Sequence, residues 1–390
     1  VEVVTGITFK QIFEDNWQRF IELCNKPIRP AISENVLKML MCRTEVLGYS
    51  QYTCHKCSQS VRINHSCKSR FCSSCGKKST DQWMATNFQQ LPDTTWQHIT
   101  FTFPCEVWPF FWHNRELMNL IPKFAANIIK KLAADKKASV GIYLAVHTFG
   151  RDLKRNFHVH LSTTCIGMSN NGDKLIKLFF NHAPIKRMWR YQCIKLLREL
   201  YKKGALTLPS NLSYICNYTS FNGFLNMLYN KQWVVHMNKQ SRNHLHNIQY
   251  IGRYLKKPPI SETRIKMYDG LNVKFEYMDH YTGAITSITM DVMAFISKLI
   301  RHIHDRHFRA IRYYGFLSNR LRSKLLPIFS NLIGNKKRAA AKVTFRSLFI
   351  KTFGVDPLQC IKCKVQMLPS LFVFLKQSIN VMVYKQIAVN

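Results

Sequence analysis

Four cysteines in two pairs, Cys54-x2-Cys57-x14-Cys72-x2-Cys75, constrain this chain more than any other feature. The segment that holds them, residues 50–76, is too short and too polar to build a hydrophobic core of its own. Each Cys-x-x-Cys knuckle offers two thiolates on a tight turn, and two knuckles complete the donor set of tetrahedral zinc. The metal then stands in for the missing core. His65 and Cys67 lie between the pairs, where they could replace one ligand, help hold a second ion, or serve as buried neighbours. Another pair, Cys360 and Cys363, has no second knuckle after it and is read as lying outside any metal site. The chain has 13 cysteines, an odd number crowded into knuckle spacing. Reduced, metal-holding thiols of a cytoplasmic protein explain that better than disulfides.

Charge narrows the partner. Against 57 Lys+Arg stand 21 Asp+Glu, a net +36, and that self-repulsion is costly unless a polyanion relieves it. The basic residues run from Lys10 to Lys385, interleaved with Phe, Tyr and Trp, as in a groove that neutralises phosphates and stacks unpaired bases. A membrane surface would call for one amphipathic helix or a short polybasic block. No apolar run approaches the roughly 20 residues of a membrane span, and the opening residues lack the layout of a signal peptide.

The periodicity predicts two helices over 8–45, then the cysteine segment, then a helix over 79–90 stopped by Pro92. Strands are expected at 95–103, 139–147 and 157–164, with a long or broken helix over 106–136 between the first two. Residues 174–230 read as mostly helical, 232–237 as a short strand and 242–256 as a helix ended by Pro258 and Pro259. A strand meander over 262–290 and a helix over 291–304 follow. The fold class is α+β, an antiparallel sheet with helices packed on it behind a small helical and zinc-binding domain. Expected limits are 1–92 for that domain, 93–334 for a catalytic domain and 335–390 for a basic tail.

His158-Val159-His160 sits in the third strand, and at period two both imidazoles share a face. Two neutral imidazoles on a rigid strand are half of a divalent-metal site. His147 ends the preceding strand, and a short hairpin through Gly150–Asn156 would bring it beside His158 as a third ligand. His302 and His304 lie in a helical pattern, where residues two apart diverge, and are read as structural or phosphate-facing. Tyr250 and Tyr254 fall four apart on a predicted helix, on one face, with Arg253, Lys256 and Lys257 alongside. The rival pair Tyr313-Tyr314 is adjacent in a strand and cannot share one site. A phenol with an ordinary pKa of about 10 is a poor nucleophile. Beside a metal-polarised phosphate it can attack, giving a covalent phosphotyrosine and a free hydroxyl.

Taken together, the blocks RPAISENVLKMLMCRT, CHKC, HSCKSRFCSSCGKKSTDQW, HTFGRDLKRNFHVHL, YIGRYLKKPPISETRI and HFRAIRYYGFLSNR resemble, in family order, the bacterial two-tyrosine HUH transposases with an N-terminal zinc-binding domain. These are relatives of the rolling-circle Helitrons. The resemblance implies that His158 and His160 bind catalytic Mg2+ or Mn2+ and that Tyr250 and Tyr254 are the strand-transferring nucleophiles. Cys54, Cys57, Cys72 and Cys75 match the zinc-domain cysteines. The substrate it implies is single-stranded DNA, at transposon ends and in target DNA, through 5′-phosphotyrosine linkages. Three positions depart from the family pattern: Phe157 and His304 where proline is expected, and no glycine after Cys363 in the tail.

Arg151, Lys154 and Arg155, in the turn before the HUH strand, are candidates for backbone phosphate, and equally could be a solvated turn. The chain contains no GxxxxGK[ST] motif, so any unwinding would come from a host helicase or the replication machinery. Two rival readings remain open: a plasmid-type replication initiator or relaxase with the same chemistry, and a zinc-dependent DNA-binding protein without catalysis.

Overall fold

The computed structural model describes residues 6–252, 258–279, 282–335 and 343–374. Helices α1 (Phe9–Glu22) and α2 (Pro30–Leu40) open the chain; Thr8 caps the first, and Pro30 stands at the start of the second, where its missing N–H costs nothing. The hairpin β1 (Gly48–Thr53) and β2 (Ser60–Asn64) brackets Cys54 and Cys57. Helix α3 (Ser73–Gln90) begins directly after Cys72, six residues earlier than its apolar pattern indicates, because the cysteine turn itself serves as its start.

The central sheet follows: β3 (Trp96–Phe101), then helices α4 (Trp108–His113) and α5 (Leu117–Ala134), the short β4 (Ala138–Ser139), and the long hairpin β5 (Gly141–Phe149) and β6 (Arg155–Thr164). After β7 (Ile166–Ser169) and β8 (Leu175–Lys177) come α6 (His182–Lys202), α7 (Tyr218–Asn230), β9 (Val235–Met237) and α8 (His244–Gly252). The meander is β10 (Ile265–Tyr268), β11 (Asn272–Met278) and β12 (Ile285–Asp291), followed by α9 (Val292–Ile300). The chain continues through β13 (Ile311–Gly315), α10 (Arg322–Leu332), α11 (Phe345–Phe353) and β14 (Leu368–Phe374). The architecture is α+β, with antiparallel sheets.

Five strands make the central sheet in the order β13-β5-β6-β3-β9. Its pleat divides two environments. Ile142, Leu144, Val146, Phe157, Val159, Leu161, Ile99 and Phe101 face a fully buried core against α5, α6 and α7. Period two sends His147, His158, His160, Ser162, His98 and Thr100 to the other face. There the sheet is covered by α8 and α3, which pack on each other. Phe157 stacks on Phe111 at 4.1 Å on the core side, so the residue before the first histidine serves packing. Tyr313 and Tyr314 divide likewise, Tyr313 beside Trp83 and Tyr143, Tyr314 against the α5 core.

A second core crosses residue 92: Phe9, Phe13 and Trp17 of α1 pack with Val273 and Phe275 of the meander and Phe295 and Leu299 of α9. The third sheet has the order β14-β1-β2, so a strand from the end of the described chain pairs with one from its beginning. A fourth, small sheet is β4-β7-β8.

Candidate active site and cysteine clusters

In the β5–β6 hairpin His147 pairs directly with His158 and Ala145 with His160. The ring nitrogens of His147, His158 and His160 all lie within 4.8 Å of one another. His158 Nδ1 donates to the Asn156 carbonyl at 2.9 Å, which leaves its Nε2 lone pair for an ion. His160 Nδ1 lies 3.1 Å from Thr100 Oγ1, its partner across β3. Burial pushes the His158 imidazole down to about 4. His160 is held well below its ordinary range by burial and by the neighbouring His158, His147 and His98. At neutral pH these rings are therefore unprotonated ligands. Three convergent imidazoles on two rigid strands fit a divalent cation.

Tyr250 enters this site from α8. Its ring stacks on His98 at 4.1 Å and its centroid stands 6.0 Å from that of His160. Its hydroxyl is 3.3 Å from Thr100 Oγ1, so one threonine touches both the phenol and a triad imidazole. A chain of polar contacts fixes the helix. Ser162 Oγ donates to His98 Nδ1 at 2.6 Å, His98 Nε2 donates to Asn247 Oδ1 at 3.1 Å, and Tyr143 donates to the Asn247 carbonyl at 2.8 Å. Gly252 brings α8 close to α3, since a Cβ there would lie 2.7 Å from Met84 Sδ. Sequence reasoning missed Thr100 and His98; their alternation in β3 with Ile99 and Phe101 is the signal that could have found them. Tyr254, Arg253, Lys256 and Lys257 lie outside the described residues.

Helix α9 ends at Ile300, so His302 and His304 leave the helical pattern expected of them. His302 is buried between Thr148 Oγ1 at 3.2 Å and the Leu153 carbonyl at 3.3 Å, and burial lowers it to about 3. His304 stacks on Phe308 at 4.1 Å. In the hairpin turn Arg151 reaches the Met278 carbonyl, Lys154 pairs with Asp152 at 3.0 Å while staying exposed, and the Arg155 guanidinium lies 5.2 Å over the Trp112 ring.

The cysteines divide differently from the four-residue site the spacing suggests. Cys72 and Cys75 join Cys42 and Cys67 in one cluster, while Cys54 and Cys57 join Cys360 and Cys363 in another. The hairpin β1–β2 carries the first knuckle away from the second, and each finds its partners elsewhere. In the inner cluster the Cys42–Cys75, Cys67–Cys75 and Cys42–Cys72 sulfurs are each 3.6 Å apart. That is close to the ~3.8 Å edge of a tetrahedron with zinc–sulfur bonds of about 2.3 Å. Hydrogen bonds from Cys42, Cys67 and Cys72 hold the Cys75 thiol well below its ordinary range. Cys67 is thus placed among the inner cysteines. His65 is not: its ring contacts Ser50 Oγ at 2.9 Å and the Leu47 carbonyl at 3.2 Å, and stacks on Phe374. Cys42 carries no knuckle spacing and lies in the turn just after helix α2, which hid it. The arithmetic of eight cysteines as two sets of four was the available signal.

Between the inner cluster and the triad runs a cleft of about 1980 Å³ that reaches His147. Its lining carries eight Lys and Arg (Lys38, Arg43, Arg62, Lys68, Arg70, Lys78, Arg306, Arg309) against Glu34 and Asp305. Both acids are already engaged, Glu34 by Lys38 and Arg306, Asp305 by Arg29 and Arg115. Phe149, Phe345, Phe349, Phe353 and Phe374 supply aromatic wall.

The described residues thus set a histidine triad on an antiparallel sheet, a tyrosine helix over it and a cysteine-rich module in front. Sequence comparison supplies the family: the one described as putative transposase matches residues 141–324, and the transposase zinc-binding domain matches 12–103. The chain is 35% identical over 368 residues to the transposase for insertion sequence element IS801 of Pseudomonas savastanoi pv. phaseolicola, covering 92% of this chain and 88% of that one. It is 26% identical over 336 residues to the putative transposase y4qJ of Sinorhizobium fredii (strain NBRC 101917 / NGR234), covering 83% and 84% respectively. No solved structure matches. The chain belongs to the IS801-type insertion-sequence transposases, and it carries their zinc-binding domain. Among the described residues, no helix is long and apolar enough to cross a membrane.

Proposed function

We propose that this transposase cleaves and rejoins single-stranded DNA at element ends through 5′-phosphotyrosine intermediates, in a rolling-circle type of transposition. The observation that carries the reading is the meeting of Tyr250, Thr100 and His160 on the polar face of the central sheet. His147, His158 and His160 would hold Mg2+ or Mn2+. Such an ion supplies Lewis-acid polarisation of the scissile phosphate. Tyr250 is the nucleophile that the sheet positions. Its phenolic oxygen bonds to phosphorus as the bond to the 3′-oxygen breaks, and the phenolic proton is lost while the leaving strand gains one as a free 3′-hydroxyl. The ester energy is kept in the phosphotyrosine, so the strand can be rejoined without ATP. Tyr254, four residues on, takes the second transfer.

DNA enters along the basic, aromatic cleft, where phosphates meet the Lys and Arg side chains and unpaired bases meet phenylalanine faces. Arg151, Lys154 and Arg155, with Arg253, Lys256 and Lys257, contribute backbone contacts. The protein works in the bacterial cytoplasm, at the nucleoid, with strand separation supplied by the host. Its catalytic unit is 93–334, preceded by the zinc-binding unit 1–92 and followed by the basic tail 335–390.

The test is a suicide substrate: single-stranded element-end DNA with Mg2+ or Mn2+, resolved on a denaturing gel. A covalent adduct is expected, absent with chelator, absent in His160→Ala and absent in the double variant Tyr250→Phe/Tyr254→Phe. DNA shifted on a native gel but never linked would support the non-catalytic DNA-binding reading instead.

A further inference from the structure

Cys54, Cys57, Cys360 and Cys363 bring together two stretches more than 300 residues apart, and the second lies beyond both family matches, 12–103 and 141–324. The two halves are built alike. In the first knuckle the Ser58 N–H donates to the Cys54 carbonyl and the Cys54 N–H to the Gln59 carbonyl, both at 2.9 Å. In the second the Lys364 N–H donates to the Cys360 carbonyl and the Cys360 N–H to the Val365 carbonyl, again at 2.9 Å. Ser58 and Lys364 hold the same left-handed conformation, with φ of 54° and 57°. Cys57 and Cys360 sulfurs stand 3.7 Å apart, far beyond a disulfide bond of about 2.05 Å and near the zinc–thiolate tetrahedral edge. Cys363 also donates its backbone N–H to Cys360 Sγ at 3.4 Å, the arrangement that supports a thiolate. Flanking the knuckles, β1 pairs with β14 from Gly48↔Phe374 to Thr53↔Leu368, so the site closes one end of a three-stranded sheet.

We propose that these four cysteines form a second tetrahedral zinc site, which clasps the C-terminal segment onto the N-terminal module. Among the described residues, apolar packing at the cluster itself is slight: only Met367, Tyr52 and Val365 pack on the cysteines. The segment it fastens carries part of the cleft's aromatic wall. Phe353 lies under the Arg43 guanidinium at 4.7 Å, Phe345 under the Lys78 ammonium at 4.5 Å, and the Thr352 carbonyl accepts from Lys77 at 2.6 Å. The consequence for DNA rests on the reading of the cleft given under Proposed function; the metal site itself does not.

The experiment is metal analysis of the full-length protein by plasma mass spectrometry, paired with limited proteolysis. Two zinc ions per chain are expected in the wild type, and one in Cys360→Ser/Cys363→Ser. A control variant, Cys105→Ser/Cys216→Ser, should keep both ions. In the Cys360→Ser/Cys363→Ser variant a protease should release a C-terminal fragment that the wild type retains. One zinc ion in the wild type, or two in Cys360→Ser/Cys363→Ser, would overturn the site. Loss of one ion with an unchanged digest would overturn the clasp. Affinity for a single-stranded oligonucleotide should fall about tenfold in the variant, the loss expected when a stacking wall is withdrawn. Unchanged affinity would contradict the cleft reading while leaving the metal count intact.

Discussion

The inner and outer cysteine clusters use the same donors in opposite settings. Cys42, Cys72 and Cys75 are buried and belong to the core that also holds Phe9, Phe13, Phe71 and Phe295. Around the outer cluster there is almost no core, Cys57 is exposed, and β14 leaves Leu371, Phe372 and Phe374 in solvent. The outer cluster has electrostatic support of its own. Burial raises the Cys54 thiol, yet the backbone N–H groups of Cys57 and Lys56 and the neighbouring thiols outweigh it and bring it to about 7. An ion at the inner cluster would reinforce packing that hydrophobic burial already drives, whereas one at the outer cluster would replace packing that is missing. Loss of the first should therefore be felt throughout the molecule, and loss of the second locally.

The sharpest way to break this comparison is Cys42→Ser. Removing an inner ligand leaves buried thiols unligated within the second core, and should cost more than about 4 kcal/mol of stability, seen as insoluble or molten protein. A soluble, cooperatively unfolding variant would refute the embedding of that site. Cys363→Ser should cost only about 1–2 kcal/mol globally, because the opening stays local; a loss as large as that of Cys42→Ser in chemical denaturation would erase the distinction. Metal removal tests the same difference without mutation. A chelator that reports released zinc should draw out one equivalent roughly tenfold faster than the other, and a single phase would argue that the sites are equally protected. The smallest effect is a gain: Lys364→Gly relieves the left-handed backbone at φ 57° and should stabilise by about 0.5 kcal/mol. A loss in thermal unfolding would mean that the Lys364 side chain does more than occupy a turn.

What the sequence made legible follows from range. Alternation alone separates His158 and His160 from Val159, and a hairpin of a few residues carries His147 opposite His158, so the triad's geometry is written within 14 residues. The opposed faces of Tyr313 and Tyr314 follow from the same period. The cysteines failed the local test. Spacing suggested that neighbouring knuckles share an ion, but Cys57 meets Cys360 across 303 positions, and no local pattern encodes that distance. The β1–β14 pairing and the packing of α1 on the meander were hidden for the same reason. Helix α9 stopped short because His302 turns toward Leu153 and Thr148, a tertiary demand that overrides helical period. Thr100 was passed over because a lone threonine in a strand has no signature until its cross-strand partner is a ligand.

The most direct measurement of the central claim is to digest the covalent protein–DNA product and locate the modified residue by mass spectrometry. The account predicts a 5′-phosphonucleotide on the phenolic oxygen of Tyr250 or Tyr254, with Tyr250 the modified residue in a Tyr254→Phe variant and no adduct in His158→Ala. An adduct on any other side chain, or cleavage that leaves no linkage to protein, would contradict it.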